Sequence, residues 1–305
     1  MKDSLKVLMA VLVSSDLPRA IRAIRTCQLQ TDHNLDFEIL VVINTLNNEF
    51  MKEMVEYCEW SGIGYKITES DGTPSTGKNS VFDVFDQKKE FTHLIQLDGD
   101  DFLYPTFLKQ IERHLKKYPN TDVLSILPVD SIYINHEPTF HELKNGLFAG
   151  LWGTNYCSWN NWLPFDTDTI FSNHCTGNVA RLMLFSRVIP NKFKYDKEQV
   201  IGEDYKLHFD LLFAHQRDEI TYWFSSASDT WVRDTTSFGI QKKDTNIIED
   251  GHYVIKQNDF YQERLKEYVE QTYGTYRSGS GAIPIDFAPL YMGTEEKLEF
   301  LNKLL

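Results

Sequence analysis

The sequence predicts an α/β domain with a mostly parallel central sheet flanked by helices. Short apolar runs alternate with helical patterns over the first 130 residues, which is typical of βαβ units. The runs are continuous, as in strands that are buried on both faces of a sheet. Polar residues follow two of these runs directly, at the strand ends where ligands bind in such sheets.

The elements are predicted in a regular order along the chain. Strands are expected at residues 6–13, 37–43, 62–68, 92–97 and 123–127. Between them, helices are expected from about Pro18, through Met51 to Cys58, from about Gly77 and from Pro105.

The first of these helices carries three arginines at intervals of three, Arg19, Arg22 and Arg25. Its apolar positions Leu17 and Ile21 lie on another face. The arginine stripe is typical of a solvated helix side, and a stripe that attracts phosphate is the alternative interpretation.

Composition narrows the class of protein. A chain of 305 residues can bury a sizeable core, and 42% hydrophobic with 25% charged residues is typical of a soluble globular protein. No apolar run has transmembrane length, and residues 5–13 lack a cleavage site for secretion. Four cysteines without a CxxC pair predict a reduced, cytoplasmic protein. The net charge of −13 disfavours nucleic acid as a partner.

The fourth strand ends in Leu97-Asp98-Gly99-Asp100-Asp101. Asp98 and Asp100 flank one glycine and can face a common hard cation, Mg²⁺ or Mn²⁺. Two carboxylates leave the remaining coordination positions of such an ion to phosphate oxygens. A plain Asp-Gly turn is the alternative. An EF-hand is not supported, since Leu103 and Lys109 stand where that loop needs glycine and glutamate.

Residues 72–79 come within one residue of a phosphate-binding P-loop. Asn79 replaces the hydroxyl that would bind magnesium, and Pro74 removes one backbone amide. Lys78 and Asn79 are nevertheless expected at a helix start, where anions are favoured, so both are candidates for contact with a nucleotide.

Two acidic positions further along the chain are candidate site residues. Glu203 and Asp204 fall in the first turn of a predicted helix, where acids also occur simply because they complement the helix dipole. Beside a metal site, a carboxylate held there can serve as a general base.

Arg233 and Asp234 follow an apolar run, and they are either surface residues or ligands of phosphate and metal. The histidines show no metal-ligand spacing and are expected to be structural or exposed.

The order of these features resembles the GT-A glycosyltransferases, especially family 2, over residues 5–240. The resemblance implies a Rossmann-like GT-A sheet that binds a nucleoside-diphosphate sugar, with UDP-sugars favoured. It implies that Asp100 binds a divalent metal, that Asp98 contacts the metal or the ribose, and that Asp204 is the catalytic base with Glu203 beside it.

The sequence differs from the family's pattern at two positions. Trp231, Asp234 and Ser237 match the family's aromatic-x-x-His-x-x-Ser pattern, except that Asp234 replaces the histidine and would have to supply a metal oxygen. Asn44 stands where the family places an aspartate that reads the base. Asp71 is a second candidate for that contact.

The expected function is therefore a metal-dependent, inverting transfer of a sugar to an acceptor hydroxyl. A nucleotidyltransferase is one alternative, although residues 14–18 are not the glycine-rich loop it requires. A non-catalytic binder of sugar nucleotides or glycans is the other. An aromatic-rich insertion, with Trp152, Trp159 and Trp162, is a candidate acceptor wall because sugar rings lie on aromatic planes. Its alternative is a core beneath a long loop.

The predicted organisation is a GT-A domain over residues 1–250 with a C-terminal extension over residues 251–305. Residues 1–130 form the nucleotide-binding half of the domain, and residues 131–250 the acceptor-binding half. The extension ends in a helix capped by Thr294, with Leu298, Leu301 and Leu305 on one side. The identity of the sugar, the acceptor and the oligomeric state are left open.

Overall fold

The computed structural model of the chain describes residues 5–126, 130–134, 141–151, 182–199, 203–234, 236, 263–264, 267–268, 271 and 284–305. The strands are β1 (Lys6–Val13), β2 (Asp36–Ile43), β3 (Gly64–Ile67), β4 (His93–Asp98), β5 (Phe102–Leu103), β6 (Val123–Ile126), β7 (Asp130–Tyr133), β8 (His141–Glu142), β9 (Phe148–Gly150), β10 (Met183–Ser186), β11 (Tyr222–Ser225), β12 (Trp231–Asp234) and β13 (Ile285–Asp286). The helices are α1 (Leu17–Gln28), α2 (Asn48–Ser61), α3 (Pro74–Gln87), α4 (Phe107–Lys117), α5 (Val188–Lys192), α6 (Glu203–Gln216) and α7 (Thr294–Leu304), with a 3₁₀ turn at Lys144–Gly146.

The larger of two sheets has eight strands in the order β13-β11-β6-β10-β4-β1-β2-β3. Its strand pairs are parallel except those of β10, which runs antiparallel to β4 and β6. The predicted α/β class, with a mostly parallel sheet between helices, is confirmed. The five strands expected from the sequence correspond to β1, β2, β3, β4 and β6.

The central strands are apolar over most of their length because helices cover both faces of the sheet. On β1, Val7 and Met9 pack with α1, α2 and α4, whereas Leu8 and Ala10 pack on the opposite face with α3, α5 and α6. These four side chains are at most 1% exposed. Such two-sided burial is what a continuous apolar run, instead of an alternating one, predicts.

The smaller sheet has five strands in the order β5-β12-β7-β9-β8. It has its own core, which α7 completes with Leu301. On the same helix the buried ammonium of Lys297 lies 2.9 Å from Oδ2 of Asp130 and 2.7 Å from the carbonyl oxygen of Ser228. The hydroxyl of Tyr104 donates to the same Asp130 oxygen over 2.8 Å.

The C-terminal residues add a strand to the large sheet and pack a helix on the core of the smaller one. In the large sheet β13 pairs with β11 and buries Asp286, whose carboxylate binds Arg113 and His114 of α4. Burial raises the pKa of Asp286, but the hydrogen bonds from His114 and Arg113 outweigh it and lower the pKa to about 2. The predicted boundary at residue 250 stays a prediction.

Two predicted helix starts differ from the structure. Helix α3 begins at Pro74, three residues before Gly77, since proline fits the first helical turn. Helix α7 is capped by Gly293, not Thr294, and the Gly293 amide donates to Oε2 of Glu296 over 2.7 Å.

Three described histidines on the large sheet and its helices are buried, in agreement with a structural role. His93, His114 and His208 are each at most 6% exposed. Burial lowers the pKa of His93 and of His208 to about 4. Within the described ranges, no helix is both long enough and apolar enough to cross a bilayer.

Candidate active site

The carboxyl ends of β1, β2 and β4 meet at one edge of the large sheet. Leu12 of β1 is in register with Asp98 of β4. The Asn44 amide, after β2, donates to the carbonyl oxygen of Val13 over 2.8 Å, and the Gly99 amide donates to that of Leu12 over 2.8 Å. The predicted polar strand ends are therefore neighbours in space.

Residues 98–101, called the acidic turn below, lie tightly against the end of β1. A Cβ atom on Gly99 would come within 2.8 Å of the Leu12 carbonyl oxygen and of Val13 Cγ1, so glycine is required between the two aspartates. Asp98 and Asp100 are half-buried. Asp101 is 5% exposed, and its Oδ1 accepts from the Asp234 amide over 3.1 Å.

The first turn of α3 approaches the same edge. A Cβ atom on Gly77 would lie 2.7 Å from Nδ2 of Asn44 and 2.9 Å from Cδ1 of Leu12. Glycine thus allows α3 to pack against the ends of β1 and β2. Because residues 74–79 are helical, residues 72–79 do not form the loop that a P-loop requires.

Lys78 and Asn79, which follow Gly77 on α3, are both buried. Nζ of Lys78 lies 2.8 Å from Oε1 of Glu203, the first residue of α6. The Asn79 side chain accepts from the Tyr195 amide and donates to the Tyr195 carbonyl oxygen, over 2.9 Å each. The predicted contact of Lys78 and Asn79 with a nucleotide stays a prediction.

The charges of three carboxylates act on the Lys78 ammonium. Burial lowers the pKa of Lys78, but the charges of Glu203, Asp98 and Asp204 outweigh it, and the pKa lies well above its usual range. Burial raises the pKa of Glu203, and the neighbouring charge of Asp204 adds to this effect.

The two residues proposed to read a base take different positions. Asn44 is 5% exposed, and its amide group is bound to the Thr73 carbonyl oxygen at 3.2 Å and to the Thr68 hydroxyl at 2.9 Å. Asp71 is exposed beside the start of α3. Partial burial raises the pKa of Asp71, but hydrogen bonds from Thr73 and Thr76 outweigh it and lower the pKa to about 2.

Asp234, at the end of β12, is held by α1. Its Oδ2 atom lies 2.6 Å from Nη2 of Arg22 and 3.6 Å from Nε of Arg19. The solvated-side interpretation is right for the exposed Arg25 and wrong for Arg19 and Arg22, whose side chains are 15% and 18% exposed. No signal in the sequence links these arginines to a residue more than 200 positions away. Arg233 is half-buried on β12.

The donor set fits a hard divalent cation only in part. In the described portion of the chain, no three or more metal-binding side chains group together. Asp98 and Asp100 supply two carboxylates at one turn, which suits an ion that completes its shell with phosphate oxygens. The metal roles of Asp98, Asp100 and Asp234 stay predictions, as does the base role of Asp204, which lies in the first turn of α6.

The predicted acceptor wall of Trp152, Trp159 and Trp162 lies outside the described residues. The same is true of Gly202, which precedes the acids of α6, and of Ser237.

Comparison with known proteins finds similarity at the level of the fold. No family model matches the sequence, and no curated protein matches it. Among solved structures, GalNAc-T7 with UDP, GalNAc and Mn²⁺ aligns with 78% of this chain at 13% identity and a TM-score of 0.53, over 45% of its own length.

Two further structures align comparably well. One is the mannosyltransferase PcManGT from Pyrobaculum calidifontis in complex with GDP-Man and Mn²⁺, at 10% identity and a TM-score of 0.50, over 79% of this chain and 60% of that one. The other is S. aureus TarS 1–349 in complex with UDP-GlcNAc, at 14% identity and a TM-score of 0.50, over 76% and 59%. The chain thus spans about 60% or less of the length of these neighbours.

The chain has the GT-A fold of these glycosyltransferases. The expected Rossmann-like GT-A class is confirmed. At such identities the likeness establishes the fold alone, since one fold can carry many different activities.

Proposed function

We propose that this chain is a metal-dependent, inverting glycosyltransferase that moves a sugar from a nucleoside-diphosphate sugar to an acceptor hydroxyl. One observation carries the proposal. Asp98 of the acidic turn and the Glu203–Asp204 pair of α6 all raise the pKa of the same buried ammonium, that of Lys78, which Glu203 contacts at 2.8 Å, although they come from distant parts of the chain. This supports the proposal that the metal ligands and the base belong to one site, at the edge of the GT-A sheet where ligands bind.

Asp98 and Asp100 would hold Mn²⁺ or Mg²⁺, with Asp234 as a further candidate ligand. When bound, such an ion stabilises the negative charge of the departing nucleoside diphosphate. Two of the neighbours contain Mn²⁺, which supports a divalent ion as cofactor here. Between Asp98 and Asp100, Gly99 keeps the turn close enough to β1 for both carboxylates to stand at the edge.

The donor is a nucleoside-diphosphate sugar, and a UDP-sugar is favoured. The neighbours are bound to UDP, UDP-GlcNAc or GDP-Man, which supports this class of donor. Asp71, exposed beside the start of α3, is better placed to contact a base than the buried Asn44. Lys78, Asn79 and Arg233 remain the other proposed donor contacts.

Asp204 is the proposed base. It accepts the proton of the acceptor hydroxyl, whose oxygen attacks the anomeric carbon from the face opposite the leaving diphosphate, so that the configuration inverts. Glu203 beside Asp204 is bound to Lys78 at 2.8 Å, and both acids lie in the first turn of α6. The acceptor is a glycan or another hydroxyl compound, with Trp152, Trp159 and Trp162 as proposed contacts.

No observation favours the nucleotidyltransferase alternative. Only residues 14–16 separate β1 from α1, and this connection is too short for a glycine-rich phosphate loop.

A binding experiment tests the proposal directly. Calorimetric titration of UDP and GDP, with and without Mn²⁺, is expected to show tight binding of one nucleotide only when the ion is present. Asp98→Asn and Asp100→Asn should each remove most of the Mn²⁺ dependence, and Asp83→Asn, at an exposed site on α3, should not. Wild-type protein that binds neither nucleotide in the presence of Mn²⁺ would contradict the proposal.

A further inference from the structure

Helix α1 presents two arginines whose hydrogen-bonding capacity is only partly used. Arg19 donates from Nη2 to the Thr236 hydroxyl over 2.6 Å, and Arg22 donates from Nη2 to Oδ2 of Asp234 over 2.6 Å. Nη1 of Arg19 and Nε of Arg22 are buried and have no hydrogen-bond acceptor among the described residues. We call Arg19 and Arg22 the arginine pair.

The buried carboxylate of Asp234 does not provide hydrogen-bond acceptors for all N–H donors of the arginine pair. Both guanidinium groups lie near the same Asp234 oxygen, at 2.6 and 3.6 Å. The other oxygen of Asp234 accepts from the Thr236 amide over 2.9 Å. Asp16 approaches Arg19 at 3.4 Å, but its side chain is 45% exposed and also caps α1, so water screens much of its charge.

Unsatisfied donors of this kind favour an oxyanion. A buried N–H group without an acceptor costs free energy, and more so when it belongs to a charged side chain. Guanidinium groups bind phosphate oxygens through pairs of charge-assisted hydrogen bonds. Two positive side chains that share one carboxylate also repel each other, and a second anion between them would relieve that repulsion.

The position of the arginine pair identifies the anion. The Asp234 amide donates to Oδ1 of Asp101 over 3.1 Å, so a single residue, Asp234, connects the arginine pair to the acidic turn. The guanidinium of Arg22 also lies 5.3 Å from the ring centre of Phe102, the residue after that turn. We propose that Arg19 and Arg22 bind a phosphoryl oxyanion of a substrate through Nη1 and Nε, beside the acidic turn.

This inference rests on the proposed function for the origin of the phosphate. The phosphoryl group belongs either to the diphosphate of the donor or to a phosphate carried by the acceptor. Both sources present the same oxyanion chemistry, and competition between ligands separates them.

The test removes the guanidinium N–H donors and keeps the positive charge. Arg19→Lys and Arg22→Lys, alone and together, keep a cation near Asp234 and remove the two unsatisfied N–H donors. Arg25→Lys, at the exposed position one turn further along α1, is the matched control. Calorimetry measures UDP, uridine and inorganic phosphate with Mn²⁺ present, and the single variants guard against a folding defect in the double variant.

For a donor phosphate, the double variant should bind UDP about tenfold more weakly, which corresponds to about 1.4 kcal/mol, with uridine unaffected. For an acceptor phosphate, UDP affinity should hold while inorganic phosphate no longer binds to the UDP-saturated protein. Unchanged binding of both UDP and phosphate in the double variant would contradict the proposed phosphate contact of the arginine pair and would leave the transferase proposal intact. If the protein bound phosphate in an arginine-dependent way but bound neither UDP nor GDP, the phosphate contact would be supported and the transferase proposal contradicted.

Discussion

Nζ of Lys78 lies 2.8 Å from Oε1 of Glu203, a residue 125 positions further along the chain. Both side chains are about 10% exposed or less. The contact joins the fifth residue of α3 to the first residue of α6 and provides a positive charge that interacts with Asp98 of the acidic turn. A buried ion pair adds little net stability over apolar side chains, but removing one partner leaves an isolated buried charge.

Lys78→Met should lower the free energy of unfolding by about 3–5 kcal/mol, because Glu203 would lose its buried counterion. The double variant Lys78→Met with Glu203→Gln should recover part of that loss. Urea denaturation of both singles and the double measures the coupling. Lys52→Met is the control, since Lys52 pairs with Glu56 at 3.8 Å on the surface, and it should cost less than about 1 kcal/mol. Additive losses in the double variant would show that the pair is not coupled.

Gly99→Ala should disturb the acidic turn, because the new methyl group would meet the backbone carbonyl of Leu12 at 2.8 Å. We expect a loss of about 1–3 kcal/mol in stability, together with a weaker melting-temperature response to Mn²⁺ and UDP. Gly64→Ala is the matched control, since its methyl group would meet only the end of the Leu40 side chain, at 3.6 Å. Differential scanning fluorimetry would contradict the expectation if both variants responded to the ligands as the wild type does.

Asp204→Asn should reduce sugar transfer about 10²–10⁴-fold, because the amide cannot accept the proton of the acceptor hydroxyl. Donor affinity should change little, since asparagine keeps the size of the side chain. Release of nucleoside diphosphate in the presence of acceptor measures the rate, and calorimetry measures the affinity. Full activity with intact donor binding would remove Asp204 from the mechanism.

Asp286 should make the free energy of unfolding depend on pH in the acidic range. Its carboxyl has a pKa of about 2 in the folded protein, below the ordinary 3.8, so the charged form stabilises the fold. This contribution, about 2 kcal/mol, is present above pH 4 and is lost as the pH falls toward 2. Chemical unfolding from pH 6 to pH 2 should therefore show a steeper loss for the wild type than for Asp286→Asn. Parallel curves for the two proteins would disprove the linkage.

The sequence was sufficient to predict the parallel core of the fold. Strands β1, β2 and β4 are long continuous apolar runs, and their burial on both faces makes them recognisable without the structure. The acidic turn was expected at a carboxyl end for the same reason. The smaller sheet was not expected, because β5 and β8 have two residues each and β9 has three, which is too few for a periodic signal.

The candidate site was predictable in its parts but not in its connections. The acids of residues 98–101 and of α6 could be identified from the ends of the elements on which they lie. The pairing of Lys78 with Glu203, and that of Arg22 with Asp234, depends on how helices pack on the sheet, and it joins residues 125 and 212 positions apart. The hydrogen bonds that bury Asn79 against Tyr195 are equally non-local.

The anchoring of Lys297 on Asp130 has a consequence for synthesis on the ribosome. Strands β1 to β4 can pair as soon as residues 6–98 have left the exit tunnel, whereas β6 joins the large sheet only through β10 and β11. The five-stranded sheet lacks its last apolar layer until Leu301 emerges. Nascent chains would then pass through a stage in which one core is formed and the other is still open to chaperones. Deletion of the last residues of α7 would prolong that stage. It would also weaken the apolar packing of α7 against β12 and against β5, the strand next to the acidic turn.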